Sequence, residues 1–434
     1  MSAIPTQGTT FEKIEIYPLG EEDNLGSAVD LRLGVIHFQY FEDIFSPVIT
    51  ADMSVAASET GIFNSLPIKG GEKVKLHFST PIELHREEEG VLELELYVNK
   101  ISNYFAEKQK ESFILHLVSI EGIKNLNKRI IKKYKQKTVD EVITDFLDIL
   151  ECEYEEDNIE KSQTKVNFIG NMRKPFTIVP MLAKKAIPVG ANSKTAGFCL
   201  WQTKSGIKFK SIETIINQKE VAQEYFFNRN NEGLGDPEAT FKKIISYAIL
   251  NNNNVMAAQR GGEYSTYRIW FNPYTFEFTD PSKSVFKPEG QETLGTDENE
   301  ITEEAKPEKI PSPEMAHRIV SGIYSVGCLE EKVDQPGTQV GTASTSINQD
   351  NIEDVGQSIS RYSSIFSQVM TLTVGINPYL EAGDIIKCTF PQVSAENDVD
   401  HTQSGLYIIK EISHYISGNK SYSALKVIRD TSGD

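Results

Sequence analysis

Several stretches of this 434-residue chain carry residue types that could do chemistry. His414, in SGLYIIKEISHYI, has the side chain best suited to general-base work near neutral pH. Ser205-Gly-Ile-Lys208 has the S-x-x-K spacing of a serine nucleophile served by a lysine, yet it falls inside a predicted hairpin. GANSKTAG (190–197) sets Lys and Thr between glycines, but the second glycine does not precede the pair and no strand leads in, so it reads as a surface loop. NDVDH (397–401) places Asp398, Asp400 and His401 together without completing a cation ligand set. HREEEG (85–90) crowds carboxylates into an exposed turn, where nothing desolvates them into an acid–base pair. KRIIKKYKQK (128–137) is the only dense basic run and could meet phosphates, but its charges do not sort onto one strand face, which suits a solvated strand edge. There is no H-E-x-x-H and no G-x-S-x-G. The expectation is therefore no catalytic, cofactor or metal residues, and no cofactor.

The elements that would position these residues are mostly strands. In VLELELYV, Leu92, Leu94, Leu96 and Val98 alternate with Glu93, Glu95 and Tyr97, which points one face at a core and the other at solvent. FEKIEIYPL, RLGVIHFQYF, SPVITADMSV and EKVKLHF add further strands, so residues 1–120 read as one β domain. From 121 to 215 the pattern becomes α+β. Thr138 and Glu141 form a capping box ahead of Val139, Val142, Ile143, Phe146, Leu147 and Leu150 at helical spacing. A short helix is predicted over PMLAKKA with Pro180 in its first turn, followed by a hairpin in GFCLWQTKSGIKFKS (197–211), with Trp201 as core or interface filling. Residues 216–250 and 360–434 form a second β domain, interrupted by a β-rich insertion at 251–359. Within it, 287–313 has almost no apolar side chains to offset the entropy of ordering and is expected to be a mobile acidic loop; much of 331–357 reads the same way.

The two β domains share a motif. GGEKVKLHF (70–78) parallels AGDIIKCTF (382–390), aligning Gly71, Glu72 and Phe78 with Gly383, Asp384 and Phe390. ELYVNKISNYF (95–105) parallels GLYIIKEISHYI (405–416) with a slip of one residue, aligning Tyr97, Ile101 and Tyr104 with Tyr407, Ile412 and Tyr415. His414 then falls opposite Asn103. Asparagine cannot serve as a general base, so His414 reads as a structural side chain with a hydrogen-bonded partner.

Composition excludes several classes. The formal charge of −18, from 62 acidic against 44 basic residues, disfavours sequence-specific binding to duplex DNA. Cys152, Cys199, Cys328 and Cys388 are scattered without a C-x-x-C pair, which speaks against zinc and against a disulfide framework. MSAIPTQGTTFEK lacks the pattern of a signal peptide and no apolar run is long enough to span a bilayer, so a soluble protein without a membrane anchor is expected.

The runs LNKRIIKKYKQKTVDEVITDFLDI, NMRKPFTIVPMLAKKAIPVGANSKTAGFCLWQTKSGIKFKSIETI, LTVGINPYLEAGDIIKCTFP and SGLYIIKEISHYISGNKSYSALKVIRDTS, in that order, resemble the baseplate hub protein of contractile-tailed bacteriophages, a family related to the hub part of type VI secretion spike proteins and to late control protein D. The resemblance implies a mainly β chain with an α+β insert, whose two similar β-barrel domains form a pseudo-six-fold ring as a homotrimer. It implies a structural, non-enzymatic role as symmetry adaptor, with a channel through which DNA passes without specific binding. The implied partners are a central spike protein, the tail tube or a tube-initiator protein, and tape-measure and wedge proteins; the implied place is the virion tail baseplate, assembled in the host cytoplasm. Three chains would bring 3 × −18 = −54 formal charges, some of which could line the bore. The alternatives are a hub subunit of a phage-like contractile injection system and a β-rich receptor-binding adhesin.

Overall fold

Period-two patterning is realised as strands from the first described residues. The computed structural model describes residues 10–20, 28–58, 68–79, 91–107, 110–190, 196–218, 220–227, 241–252, 254–272, 276–278, 285–286, 293–295, 318–323, 351–392, 399–418 and 420–431. Apart from 293–295, the acidic stretch 287–313 lies outside them, as do HREEEG, residues 331–350, the centre of GANSKTAG and Asp398.

Seven strands make the first half of a large sheet: β1 (Thr10–Tyr17), β2 (Val29–Asp30), β3 (Val35–Asp43), β4 (Thr50–Ser58), β5 (Lys73–Ser79), β6 (Val91–Glu107) and β7 (Lys110–Val118). In β6, Leu94, Leu96 and Val98 are buried while Glu93 and Glu95 face solvent. They join Ile14, Phe38, Met53, Leu76 and Leu115 in one apolar core.

A middle region follows, with α1 (Ile120–Asn127), β8 (Lys133–Thr138), α2 (Val139–Ile149), β9 (Lys165–Ile169), α3 (Pro175–Ala183), β10 (Phe198–Thr203), β11 (Gly206–Ser211) and α4 (Ile212–Ile216). Helix α2 buries Val139, Val142, Ile143, Phe146 and Leu147, and Glu141 accepts a hydrogen bond from the Thr138 N–H at 3.3 Å. Helix α3 starts earlier than PMLAKKA suggests. Pro175 occupies its first turn and Pro180 lies inside it. The Phe176 N–H, one of the donors a helix start leaves unpaired, is satisfied by Asn125 Oδ1 at 3.0 Å.

The second half of the sheet holds β12 (Gln223–Phe226), β13 (Ile244–Asn252), β18 (Gln368–Gly375), β19 (Ile385–Thr389), β20 (Gly405–Ser417) and β21 (Ser421–Arg429). Between β13 and β18 lie α5 (Val255–Gly261), a small sheet of β14 (Thr266–Asn272), β15 (Glu277–Phe278), β16 (Val285–Phe286) and β17 (Arg318–Ile323), and α6 (Asn351–Ser364). Helix α6 overlaps the end of the stretch expected to be mobile. Its Arg361 is buried and pairs with Glu213 at 2.7 Å and Asp430 at 3.2 Å, so an ionic contact helps to hold a helix of polar composition.

The two halves are one thirteen-stranded sheet, with the order β13-β18-β21-β20-β3-β4-β7-β6-β5-β1-β2 and the β12–β19 pair attached to β20. Strand β20 makes the join. Its first residues pair with β19, and its later ones, Glu411–Ser417, pair antiparallel with β3.

Candidate functional site

The join is backed by a buried polar cluster. Glu42 follows Phe38 and Tyr40 on the core-facing side of β3 and is itself buried. Its carboxylate accepts hydrogen bonds from the Tyr40 hydroxyl, the Lys204 N–H at 2.9 Å and the Ala382 N–H at 2.8 Å. It thereby ties the first half, the β10–β11 hairpin and the second half together. Burial, reinforced by the nearby Glu381 charge, pushes the Glu42 carboxyl up to about 7 against the pull of these donors. Burial also raises Glu381, but Lys208, Ser205 and Lys204 outweigh it and hold that carboxyl below the usual range. Glu381 Oε2 accepts from Lys208 Nζ at 2.6 Å, Ser205 Oγ at 2.7 Å and Thr203 Oγ1 at 3.0 Å. The S-x-x-K pair is thus absorbed by a carboxylate, to which both the lysine and the serine donate, the reverse of an activated nucleophile.

His414 belongs to the same cluster. It is buried, its Nδ1 lies 2.9 Å from Ser423 Oγ, and its ring stacks on Tyr40 at 5.9 Å. Burial, with the Lys204 charge second, pushes its pKa down to about 3. The ring is neutral at physiological pH and packs as a structural side chain.

The repeat positions sit at two matching corners. Gly71 and Gly383 have φ of 98° and 96°, a conformation that glycine adopts without strain. The Gly71 N–H donates to the Val98 carbonyl at 2.7 Å and the Val98 N–H returns to the Glu72 carbonyl at 2.9 Å; Gly383, Ile409 and Asp384 repeat this at 2.8 and 2.9 Å. Each corner's acid staples its own loop. Glu72 accepts from the Lys69 N–H at 2.6 Å and the Gly70 N–H at 2.8 Å, and Asp384 accepts from the Glu381 N–H at 2.9 Å. Phe78 stacks on Phe38 at 4.9 Å, and Phe390 meets Tyr247 at 4.7 Å. Ile101 pairs with Leu115 in β7 as Ile412 pairs with Leu425 in β21.

The tyrosines differ from the sequence alignment. Lys73 pairs with Tyr97, whereas its counterpart Ile385 pairs with Ile408, so Tyr97 corresponds to Ile408 and the buried Tyr407 to Leu96. The one-residue slip therefore lies in the connection before the Leu-Tyr dipeptide, whose recurrence is out of register. A second offset arises where β6 bulges between Ser102 and Phe105, with Asn103 at φ 52°. This puts Phe105, opposite Ser112, in the register that Tyr415 holds opposite Tyr422, and Tyr104 inside the bulge.

Among the strand edges without a strand partner in the described residues are the outer edge of β13 and the edge of β6 beyond Lys100 that corresponds to the one β3 covers on β20. Both carry exposed apolar side chains, Ile249 and Leu250 on β13, and Tyr104 (53% exposed) and Phe105 (57%) on β6.

No protein-family model and no curated protein matches the sequence. Solved structures do. A tail protein from Neisseria meningitidis MC58 is similar over 98% of this chain and 97% of its own, with a TM-score of 0.52 at 9% identity. The 43 kDa tail protein of prophage MuSo2 from Shewanella oneidensis is similar over 96% of this chain and 98% of its own, with a TM-score of 0.50 at 10% identity. The chain has the fold of phage tail proteins.

Within this tail-protein fold, the residues that join the parts escaped motif reading. Glu42 had one signal, an acid on the same strand parity as Phe38 and Tyr40. Trp201 does more than fill space, since its Nε1 donates to the Ala382 carbonyl at 2.8 Å and its ring lies where a Cβ on Gly383 would fall, 2.9 Å from Cζ2. Of the residues weighed as cation ligands, Asp400 instead accepts from Thr402 N and Oγ1 at 2.9 and 2.6 Å. Among the described residues no three His, Cys, Asp or Glu side chains gather as a metal site.

Proposed function

We propose that this chain is a structural, non-enzymatic tail component, the baseplate hub, and that three copies close into a ring between the tail tube and a central spike. The observation that carries this reading is the β3–β20 seam within the chain, together with its two unfilled counterparts. The first half runs β3-β4-β7-β6-β5 and the second runs β13-β18-β21-β20-β19, so β13 is the counterpart of β3 and β6 the counterpart of β20. If β3 covers β20 inside a chain, β13 of one copy can cover β6 of the next in the same manner, burying Tyr104, Phe105, Ile249 and Leu250. An open edge with apolar side chains is a template for such strand addition.

That contact is head-to-tail and closes only at a fixed copy number. Closure at three is what the hub resemblance adds. It gives six similar β units, two per chain, to meet a six-fold tube on one side, and true three-fold symmetry to meet a trimeric spike on the other. The ring would enclose a channel for DNA, with tube-initiator, tape-measure and wedge proteins as further partners, in the baseplate of a virion assembled in the host cytoplasm. The sheet face turned away from the cores would supply the wall. It carries Gln39, Ser54, Ser102, Thr371, Thr373 and Ser413, and its acids are paired: Asp52 with His116, Asp43 with Lys410, and Glu411 with Lys426. Such a wall offers DNA polar groups and acids already held by partners, a surface past which it would slide without adhering.

Negative-stain imaging with mass measurement, alone and with a trimeric spike added, tests the proposal. The expected particle is a three-fold ring with a central hole; a fibre, a knob or a particle without a hole contradicts it, and a fibre would favour an adhesin.

A further inference from the structure

On this acidic chain, the outer face of the small β8–β9 sheet carries the opposite charge. Arg129, Lys133, Lys135, Lys165 and Arg173 are exposed there, whereas Lys128, Lys132 and Lys137 are engaged by Glu151, Asp145 and Glu141. Among these cations, of which Arg129 also donates to the Leu126 and Lys128 carbonyls at 2.9 Å, stand three exposed aliphatic side chains, Ile131 (71% exposed), Ile169 (63%) and Met172 (66%). Backbone pairing sets their segments side by side: Lys133 pairs with Ile169, Ile130 bridges Arg173, and the Met172 N–H donates to the Ile130 carbonyl at 2.9 Å.

The turn that presents Met172 is held against a conformational cost. Asn171 and Met172 have φ of 49° and 56°, a region uncommon for any side-chain-bearing residue and worth a functional explanation in a methionine. Gly170 is packed so closely that a Cβ there would lie 2.2 Å from Ile130 Cγ2. Packing thus fixes the turn, yet the side chain it presents points to solvent.

We infer that this face is a docking surface for an acidic protein segment bearing aliphatic side chains. Charge complementarity selects the acid, and the apolar centre selects the aliphatic groups. Nucleic acid fits less well. Its bases stack on exposed rings, and the one aromatic of the basic run, Tyr134, is buried and stacked on Phe168 at 4.9 Å.

The test uses the full chain and a fluorescent twelve-residue peptide alternating Glu and Val, compared with an all-Glu peptide, a single-stranded oligothymidine and anionic phospholipid vesicles. The alternating peptide should bind at least tenfold tighter than the all-Glu peptide and weaken with added salt. Both Ile131→Ser with Met172→Ser and Lys133→Ser with Arg173→Ser should weaken it at least tenfold. Met172→Gly separates binding from folding: it relieves the left-handed backbone, so it should melt no lower than the wild type while binding the peptide more weakly. Equal binding of the all-Glu peptide, no binding of the alternating peptide, preferential binding of oligothymidine or vesicles, self-association through this face, or unchanged binding by the variants would each overturn the inference.

Discussion

The corners at Gly71 and Gly383 share a backbone and differ in what leans on them. At Gly71 the nearest atom to an added Cβ is the flexible Leu19 Cδ1 at 3.2 Å, whereas at Gly383 it is the rigid indole of Trp201 at 2.9 Å. Glu72 closes only its own loop, while the loop before Asp384 also carries Glu381 into the β10–β11 hairpin and receives Glu42 from the first half. One copy of the repeat is therefore a plain corner and the other the anchor for the rest of the chain. The strand edges show a similar contrast, since β20 is covered by β3 beside the Glu42 cluster, whereas β6 has no strand there among the described residues and carries exposed aromatics.

The largest expected effect sharpens that contrast. Gly71→Ala should cost about 1–3 kcal/mol through backbone strain alone. Gly383→Ala should cost that much plus about 1–3 kcal/mol for overlap with Trp201. Urea unfolding measures both, and equal costs would mean that the indole does not brace the second corner.

Glu42 gives the next effect. Its carboxyl sits near 7 in the fold against an ordinary 4.5, so the folded chain holds a proton that the unfolded chain has lost, and this contribution to stability falls as pH rises from 4.5 to 7. The cost of charging it is about 3 kcal/mol on the linkage scale. His414 has the opposite sign. Held near 3 in the fold, it makes stability rise as pH climbs from 3 to 6.5. The stability of Glu42→Gln relative to the wild type should therefore grow by about that amount between pH 5 and pH 8, and a flat difference in unfolding midpoints would place the charge elsewhere.

Much of this was legible because alternation is a local signal. Leu94, Leu96 and Val98 announce their strand, and the Gly-acid pairs announce the corners. What could not be read is set at a distance. Arg361 makes a polar helix viable only because Glu213 and Asp430 meet it. The slip that puts Tyr97 with Ile408 lies in a connection whose length the repeat does not constrain. Pro180 reads as a helix start until Pro175, with Asn125 capping the next residue, takes that place. Whether an edge is covered is invisible in any one strand, because it depends on which distant strand the fold brings alongside, as it brings β20 to β3.

A smaller effect is expected at Trp201. Trp201→Phe keeps most of the packing but leaves the Ala382 carbonyl without its donor, a loss of about 1–3 kcal/mol in chemical unfolding. The smallest concerns the open edges. Tyr104→Lys with Leu250→Lys should change the stability of the isolated chain by no more than about 0.5 kcal/mol, since both side chains are exposed, yet abolish assembly in a mass measurement. Loss of stability without loss of assembly would assign these residues to the core.

The proposed ring depends on β13 of one copy covering β6 of the next. Ser102 has the register of Ser413, which faces Phe41, and Asn251 has the place on β13 that Phe41 holds on β3. Paired Ser102→Cys and Asn251→Cys substitutions, in a chain with Cys152 and Cys328 replaced by serine, should form disulfides between copies that yield dimers and trimers and nothing larger on a non-reducing gel. Absence of cross-linking, or an open-ended ladder of larger species, would rule out a closed ring built on this contact.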